Sequence, residues 1–548
     1  MKSLICLVIS GSASATTYYI AANGSDSNSG TAKTTPWAHA PGMPNCANVC
    51  ASAAPKPGDQ FIFRGGDTWH FGSGTPLIGG VWTWQWSGVS GSPIYVGVDS
   101  TWYSGTTFAR PILSGDNPQW TGTGFPASCA YADSGDQVAL GSGSLSYVTF
   151  DNFEFTGFCW TGNVQTHGTM LDVPGGDTHI VVSNNYCHGW TMTSGADDNF
   201  PCVTSFGSGT VQDFNRYTGN VFDGSDSPHF PSGDTTHCQY PGLTTDGCAS
   251  GQGMNGSHFY DLDRNVFRYL SNDIVTGNCH SIHDNLFEYL YDTFASGSYQ
   301  QHPNVMNCLG GATGESVYWY NNVIRHTYVT EDVYLAVRTS AYIFNNVFFD
   351  NMNSVFGSLP AGFFRLNAVS NSTLPVSAYI YNNTLDNTGQ FIFDQSNAPL
   401  TAWDGNGYFR NNHVIGWTSM SSVYTCHSGA TCTFTDSGNE ILQSPSTAAA
   451  QGYTAANNYA PTSGSGSTVG AGANLSSSCG TFSADNAFCS GTSDGVLEQS
   501  GDGGQVPKYP AVTIEARPSS TGWDVGAYLF SAGGSGPTPP TGLAAVVQ

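Results

Sequence analysis

Asp273, Asp292, His302, Glu331, Asp332 and Arg338 cluster in one part of a chain that is otherwise poor in charge, with only 10% of its 548 residues being Asp, Glu, Lys or Arg. Two carboxylates held about 5 Å apart are the working pair of a retaining glycosidase, and a wider pair leaves room for the water of an inverting one. Like charges that close raise one pKa, which leaves an acid beside a base. His302 sits in the stretch YQQHPN, where Pro303 stiffens the turn. An imidazole there suits substrate contact or proton transfer. A lone Asp is more often a turn cap that bonds nearby backbone N–H groups. Clustering is what singles these residues out, and the fold has to bring them together.

The fold is legible in a repeat. Setting Asn265 over Asn285 places Leu262 over Ile282, Val266 over Leu286, Phe267 over Phe287, Tyr269 over Tyr289 and Leu270 over Leu290. The same word, an apolar strand followed by Asn and a second apolar strand, stands at Asn152, Asn185, Asn220, Asn322, Asn346, Asn383 and Asn412. A unit this short cannot bury its own apolar face, so copies must stack. Alternating β-branched and aromatic residues broken by Asn, Gly, Ser and Asp indicate short strands, and no long stretch has helical periodicity. These signals predict an all-β parallel β-helix. The Asn residues are expected at its corners, where Asn tolerates the left-handed conformation and where stacked amides bond one another.

Composition sets further bounds. A formal charge of −25 offers no basic patch for nucleic acid. Residues 1–15 combine Lys2, an apolar run and Ala13-Ser14-Ala15, which is a secretory signal pattern, and the run is too short to span a bilayer. One of the 15 cysteines lies in that segment, leaving an even number for an oxidising compartment. The close pairs Cys46/Cys50, Cys238/Cys248, Cys426/Cys432 and Cys479/Cys489 read as disulfides. No CxxC pair occurs, which disfavours a zinc site. The expected product is a secreted monomer without a membrane span.

The stretch TTYYIAANGSDSNSGTAKTTPW, then PGDQFIFRGGDTW, then SGSPIYVGVD, resembles the opening of secreted right-handed parallel β-helix proteins of the pectin-lyase-like superfamily. The resemblance implies terminal caps on a right-handed solenoid. It divides the chain into a signal (1–15), an N-terminal cap with the first coils (16–130), coils with inserted loops (131–416), a C-terminal cap region (417–530) and a Gly/Pro tail (531–548). The superfamily includes lyases, hydrolases and esterases acting on polysaccharides, besides non-enzymatic adhesins, so fold alone does not choose.

The resemblance also implies that the strand beginning several residues after each corner strand lines an open groove. That strand is expected near Asp273-Ile274-Val275, near Glu331–Leu335, and at either Asp292–Phe294 or His302–Met306. With rungs about 4.8 Å apart, Asp273 and Asp292 come about 5 Å apart and Asp273 and Asp332 roughly 10 Å. The resulting expectation is a glycoside hydrolase with Asp273, Asp292 and Asp332 as acid, base or nucleophile, assisted by His302. Arg338, Tyr334, Glu331 and His280 would bind sugar, and hydrolysis would need no cofactor. A calcium-assisted lyase on a uronate polymer, with a His, Tyr or Arg base (Arg325, Arg338 or Arg365 among the arginines), is the second reading. A non-catalytic glycan-binding protein is the third. Asp197-Asp198 lacks the companion motifs of polygalacturonases. Trp82, Trp84 and Trp86 share one strand face, as a sugar platform if exposed or as core if beneath the cap.

Overall fold

The computed structural model describes residues 15–530 apart from 73–79, 121–125, 134, 142, 162–167, 194–200, 206–212, 227–228, 231–247, 250–251, 257–258, 272–274, 292–303, 309–314, 330, 338, 354–363, 369–375, 387, 395–403, 427–430, 437, 458, 483–486 and 493–507. Three long sheets dominate it, of 13, 12 and 11 strands, and the strands in them pair parallel with those of the neighbouring coils. Each coil gives one strand to each sheet in turn. Phe259–Asp263 joins sheet A, Val266–Ser271 sheet B and Val275–Gly277 sheet C. The next coil repeats this with Cys279–His283, Leu286–Tyr291 and Asn304–Cys308. The chain is therefore a right-handed parallel β-helix, with the hand that parallel crossovers take.

The strand pattern explains the core. Leu262, Ile282, Trp319, Ile343 and Ile380 stand in one column of sheet A, all fully buried. Phe222, Phe267, Phe287, Ile324 and Phe348 do the same in sheet B. The expected overlay of the 265 and 285 words is the observed register, and Tyr269 stacks on Tyr289 at 4.9 Å.

Eight Asn residues, 185, 220, 265, 285, 322, 346, 383 and 412, form one hydrogen-bonded ladder at the passage from sheet A to sheet B. At Asn285 the side-chain Nδ2 donates to Asn322 Oδ1 at 3.0 Å and to the Leu262 carbonyl at 2.8 Å, while its Oδ1 accepts from Asn265. Two expectations need correction. The left-handed residue is not the ladder Asn but the one before it, at Arg264, Asp284, Asn321, Asn345, Asn382 and Asn411, with φ between 53° and 57°. Asn152 also takes this left-handed place, and Phe153 stands where its coil would carry the ladder amide.

Disulfides join Cys46–Cys50, Cys426–Cys432 and Cys479–Cys489 as expected. Cys129–Cys159, Cys187–Cys202 and Cys279–Cys308 add staples between residues 15 to 30 positions apart. The Cys238/Cys248 pair lies outside the described side chains. Beyond the last coils the chain folds back over the solenoid as a strap. Tyr453, Tyr459, Ala527 and Tyr528 cover the outward residues Val221, Val266, Leu286, Val323 and Val347 of sheet B. Phe482, Phe488 and Trp523 cover Tyr320, Phe344 and Tyr381 at the edge of sheet A. No described helix is long and apolar enough to cross a membrane.

Candidate functional site

Sheet C carries the groove candidate, because the strap covers outward residues of sheet B and the edge of sheet A. Along its strands the core side is Met254, Val275, Met306, Val333 and Phe364. The next residue of each strand points outward, which makes a column of Asn255, Thr276, Asn307, Tyr334 and Arg365 in continuous register. Thr204 and Asp172 continue it on earlier coils, joined by a 2.8 Å hydrogen bond from the Thr204 hydroxyl. The guanidinium of Arg365 lies 5.8 Å from the Tyr334 ring centre. Thr276 Oγ1 and Asn307 Oδ1, neighbours on this column, have no hydrogen-bond partner among the described residues. Buried polar atoms are seldom left so.

The sequence-derived residues scatter around this column. Tyr334 is on it, half-exposed. Glu331 begins the same strand, Glu331–Val337. Of the two strands offered after Asn285, Asn304–Cys308 is seen in sheet C. Asp273, Asp292, His302 and Arg338 lie outside the described residues. His280 is on the outward face of sheet A, stacked on Tyr260, and not on the sheet C column. Arg325 is bound to Glu288 beneath the strap, which removes it as a candidate base. Trp82 and Trp84 are core, fully buried under the N-terminal cap residues, with Trp86 packed against them. Arg365, offered as a candidate base, stands on the column, whereas Thr276 and Asn307 were missed as site residues. Counting outward positions in register from Tyr334 would have found them.

Asp332 differs from its expected groove position. Strand alternation gives it the outward side with Tyr334, but the chain is just leaving sheet B, and the carboxyl is 3% exposed with the Thr327 hydroxyl bonded to it. Burial pushes its pKa up to about 7, against the smaller opposing effect of Thr327. A carboxyl raised on folding favours the native state while protonated, so its contribution is lost as pH rises from the unfolded value near 4 through 7. Stability is therefore expected to fall across that window by up to about 1.4 kcal/mol per pH unit, and Asp332→Asn should flatten the slope. Urea titrations at pH 4.5 and 8 check this; parallel pH profiles for the two proteins would refute it.

A second polar cluster stands on sheet A. His283 Nδ1 meets Asp284 Oδ2 at 2.7 Å and Nε2 meets Asp261 Oδ1 at 2.8 Å. Burial alone would lower its pKa, but these two carboxylates outweigh burial and hold it at about 10, so both ring nitrogens donate. Asp263, 1% exposed, takes Arg216 through two bonds of 2.9 and 2.8 Å, together with Thr218 and Arg264. Among the described residues Asp261, Asp263 and His283 are the group close enough to hold a metal ion. They do not fit calcium, which takes oxygen ligands, because an imidazolium and two guanidinium groups already occupy the carboxylates. This is a closed ion-pair network, in which both ring nitrogens of His283 are satisfied.

No protein-family model matches the chain, and no curated protein does. Solved structures resemble it at low identity. A GH136 lacto-N-biosidase from Eubacterium ramulus aligns at 11% identity and TM-score 0.39, covering 78% of this chain and 68% of that one. A rhamnogalacturonan lyase aligns at 13% and 0.36, covering 80% and 92%. The pectate lyase Pel9A aligns at 15% and 0.32, covering 94% and 96%.

Proposed function

We propose that this protein is a secreted polysaccharide-degrading enzyme whose substrate lies along the outward face of sheet C. The observation that carries the reading is the continuous outward column from Asn255 to Arg365, with orphaned polar atoms at Thr276 and Asn307 beside the ring of Tyr334. A rigid scaffold that presents a line of polar groups with an aromatic among them is what a sugar chain needs. Six disulfides among the described residues fit an oxidising compartment.

Hydrolysis by Asp273 and Asp292 is the first chemistry. The sheet B strands leading to them pair Ser271 with Tyr291 on successive coils. Asp273 follows Ser271 by two residues and Asp292 follows Tyr291 by one; carboxylates on successive coils, with rungs about 4.8 Å apart, are what a retaining pair would need. His302 would assist, and Asp332, being buried, would act on the site only through its neighbours. Elimination is the second chemistry, favoured by Arg365 beside Tyr334: a guanidinium suits a uronate, and a phenol or guanidinium supplies the base.

A digest of neutral and uronate polysaccharides, with and without calcium, separates these readings. New reducing ends without ultraviolet absorbance support hydrolysis, which Asp273→Asn should then abolish. Absorbance from unsaturated sugars supports elimination, which Arg365→Met should abolish. In either case Tyr334→Ala is expected to lower the cleavage rate by roughly 10- to 100-fold through lost positioning. No product from any polymer overturns the enzyme reading.

A further inference from the structure

A ribbon of aromatic rings climbs the outward face of sheet A. Tyr260 stacks on His280 at 4.7 Å, and His280 meets Tyr318 at 5.4 Å. Tyr318, Tyr342, Tyr379 and Tyr408 then stack at 5.0, 5.0 and 5.1 Å with interplanar angles of 9°, 7° and 10°. These four stand in register on four consecutive coils, and each is partly exposed. Ring packing explains why aromatics stack, at about 0.5–1.5 kcal/mol per pair, but not why every rung carries a hydroxyl. The inward neighbours on the same strands, Trp319, Ile343, Ile380 and Phe409, carry none.

Rings stacked in register along the solenoid axis place the phenolic hydroxyls in a row with one member per rung, those of Tyr318 and Tyr342 also bonding Ser316 and Ser340. Phe482 of the strap braces the row edge-on against Tyr342 and Tyr379, at 4.9 and 5.5 Å, which fixes the rings before any ligand arrives. The four tyrosines are uncharged, and the carboxylates of Glu315 and Asp261 lie near His280 at one end of the ribbon. Burial holds His280 below its usual pKa, leaving a neutral imidazole at pH 7. The protein around it carries a formal charge of −25, which repels polyanions. A ligand matched to this strip is extended, uncharged and rich in hydroxyl groups, with a repeat along its length.

We propose that the tyrosine ribbon is a second binding surface, for an extended uncharged polysaccharide chain lying parallel to the solenoid axis and apart from the sheet C column. The inference rests on polysaccharide as the ligand class and not on cleavage. Native affinity electrophoresis through gels containing xylan, mixed-linkage β-glucan or galactomannan tests it, with polygalacturonate as the anionic control. At least one neutral polymer should retard the protein, and polygalacturonate should not. A quadruple variant, Tyr318→Phe, Tyr342→Phe, Tyr379→Phe and Tyr408→Phe, keeps the stack and should melt like the parent, yet lose at least fivefold in apparent affinity. Retardation by none of the neutral polymers overturns the proposal. So does equal retardation of the quadruple variant, or loss of retardation in Tyr334→Ala instead. If the variant loses binding while the parent cleaves nothing, the ribbon stands and the enzyme reading falls.

Discussion

Arg325→Met is expected to destabilise the fold by about 3–5 kcal/mol, because it strands the Glu288 carboxylate inside the protein. Both Arg325 Nε and Nη2 donate to Glu288 Oε2, at 3.0 and 2.7 Å, and the side chains are 3% and 2% exposed. They stand side by side on the outward face of sheet B. Valines and leucine of the flanking column there pack against the strap. Water cannot reach the carboxylate once its partner is gone. Removing both charges is a different experiment. Apolar side chains of similar volume replace a buried pair at little or no cost. The double variant Glu288→Met with Arg325→Met should therefore recover most of the loss. Urea midpoints of the parent, both single variants and the double variant close the cycle. A single variant within 1 kcal/mol of the parent, or a double variant as unstable as the single, would refute burial of the pair under the strap.

This pair shows how much of the fold the sequence already carried and where reading stopped. Asn220, Asn265, Asn285 and Asn322 announce themselves because an identical residue recurs between apolar strands. Asp223, Arg268, Glu288 and Arg325 each stand three residues after one of them and inherit their register. Alternating acid and base therefore stack rung on rung, with Arg268 on Asp223 at 2.7 Å. The partners lie 45 and 37 positions apart along the chain, and only the register between coils makes them neighbours. The corner conformation was illegible for another reason. Asn stands there at 184, 321, 345, 382 and 411, beside an equally recurrent ladder Asn, while Arg264 and Asp284 take the same left-handed conformation, so residue type does not tell the two positions apart. Disulfide Cys279–Cys308 links residues 29 positions apart, which only the coil makes neighbours. At the candidate site, alternation placed Tyr334 outward correctly. It failed two residues earlier at Asp332, because the chain there is still bending out of sheet B. The strap was visible as a change in composition after Asn412, yet which face it covers depends on packing that no periodicity encodes.

The ladder itself supplies the other large effect, and the test distinguishes two residues that are neighbours in sequence. Asn322 Oδ1 accepts from the Asn285 backbone N–H and from Asn285 Nδ2, both at 3.0 Å. Its own Nδ2 donates to the Ile282 carbonyl at 2.9 Å and to Asn346 Oδ1 at 3.3 Å. Asn322→Ala removes all four bonds in a site with no solvent access. An unsatisfied buried group costs about 1–3 kcal/mol, so the variant should lose about 5 kcal/mol. Asn321 is the left-handed residue beside it, at φ 53°. Its side chain makes a single 3.1 Å bond to Asp284, nearer the surface. Glycine adopts that conformation without the Cβ clash, so Asn321→Gly should stay within about 1 kcal/mol of the parent. Denaturant melts of both variants measure the contrast. Equal losses would mean that the corner conformation and not the amide ladder holds the passage from sheet A to sheet B. An unequal result in the expected direction assigns the recurrent Asn to hydrogen bonding between coils. That assignment explains why the ladder position is occupied by Asn even where its left-handed neighbour is Arg or Asp.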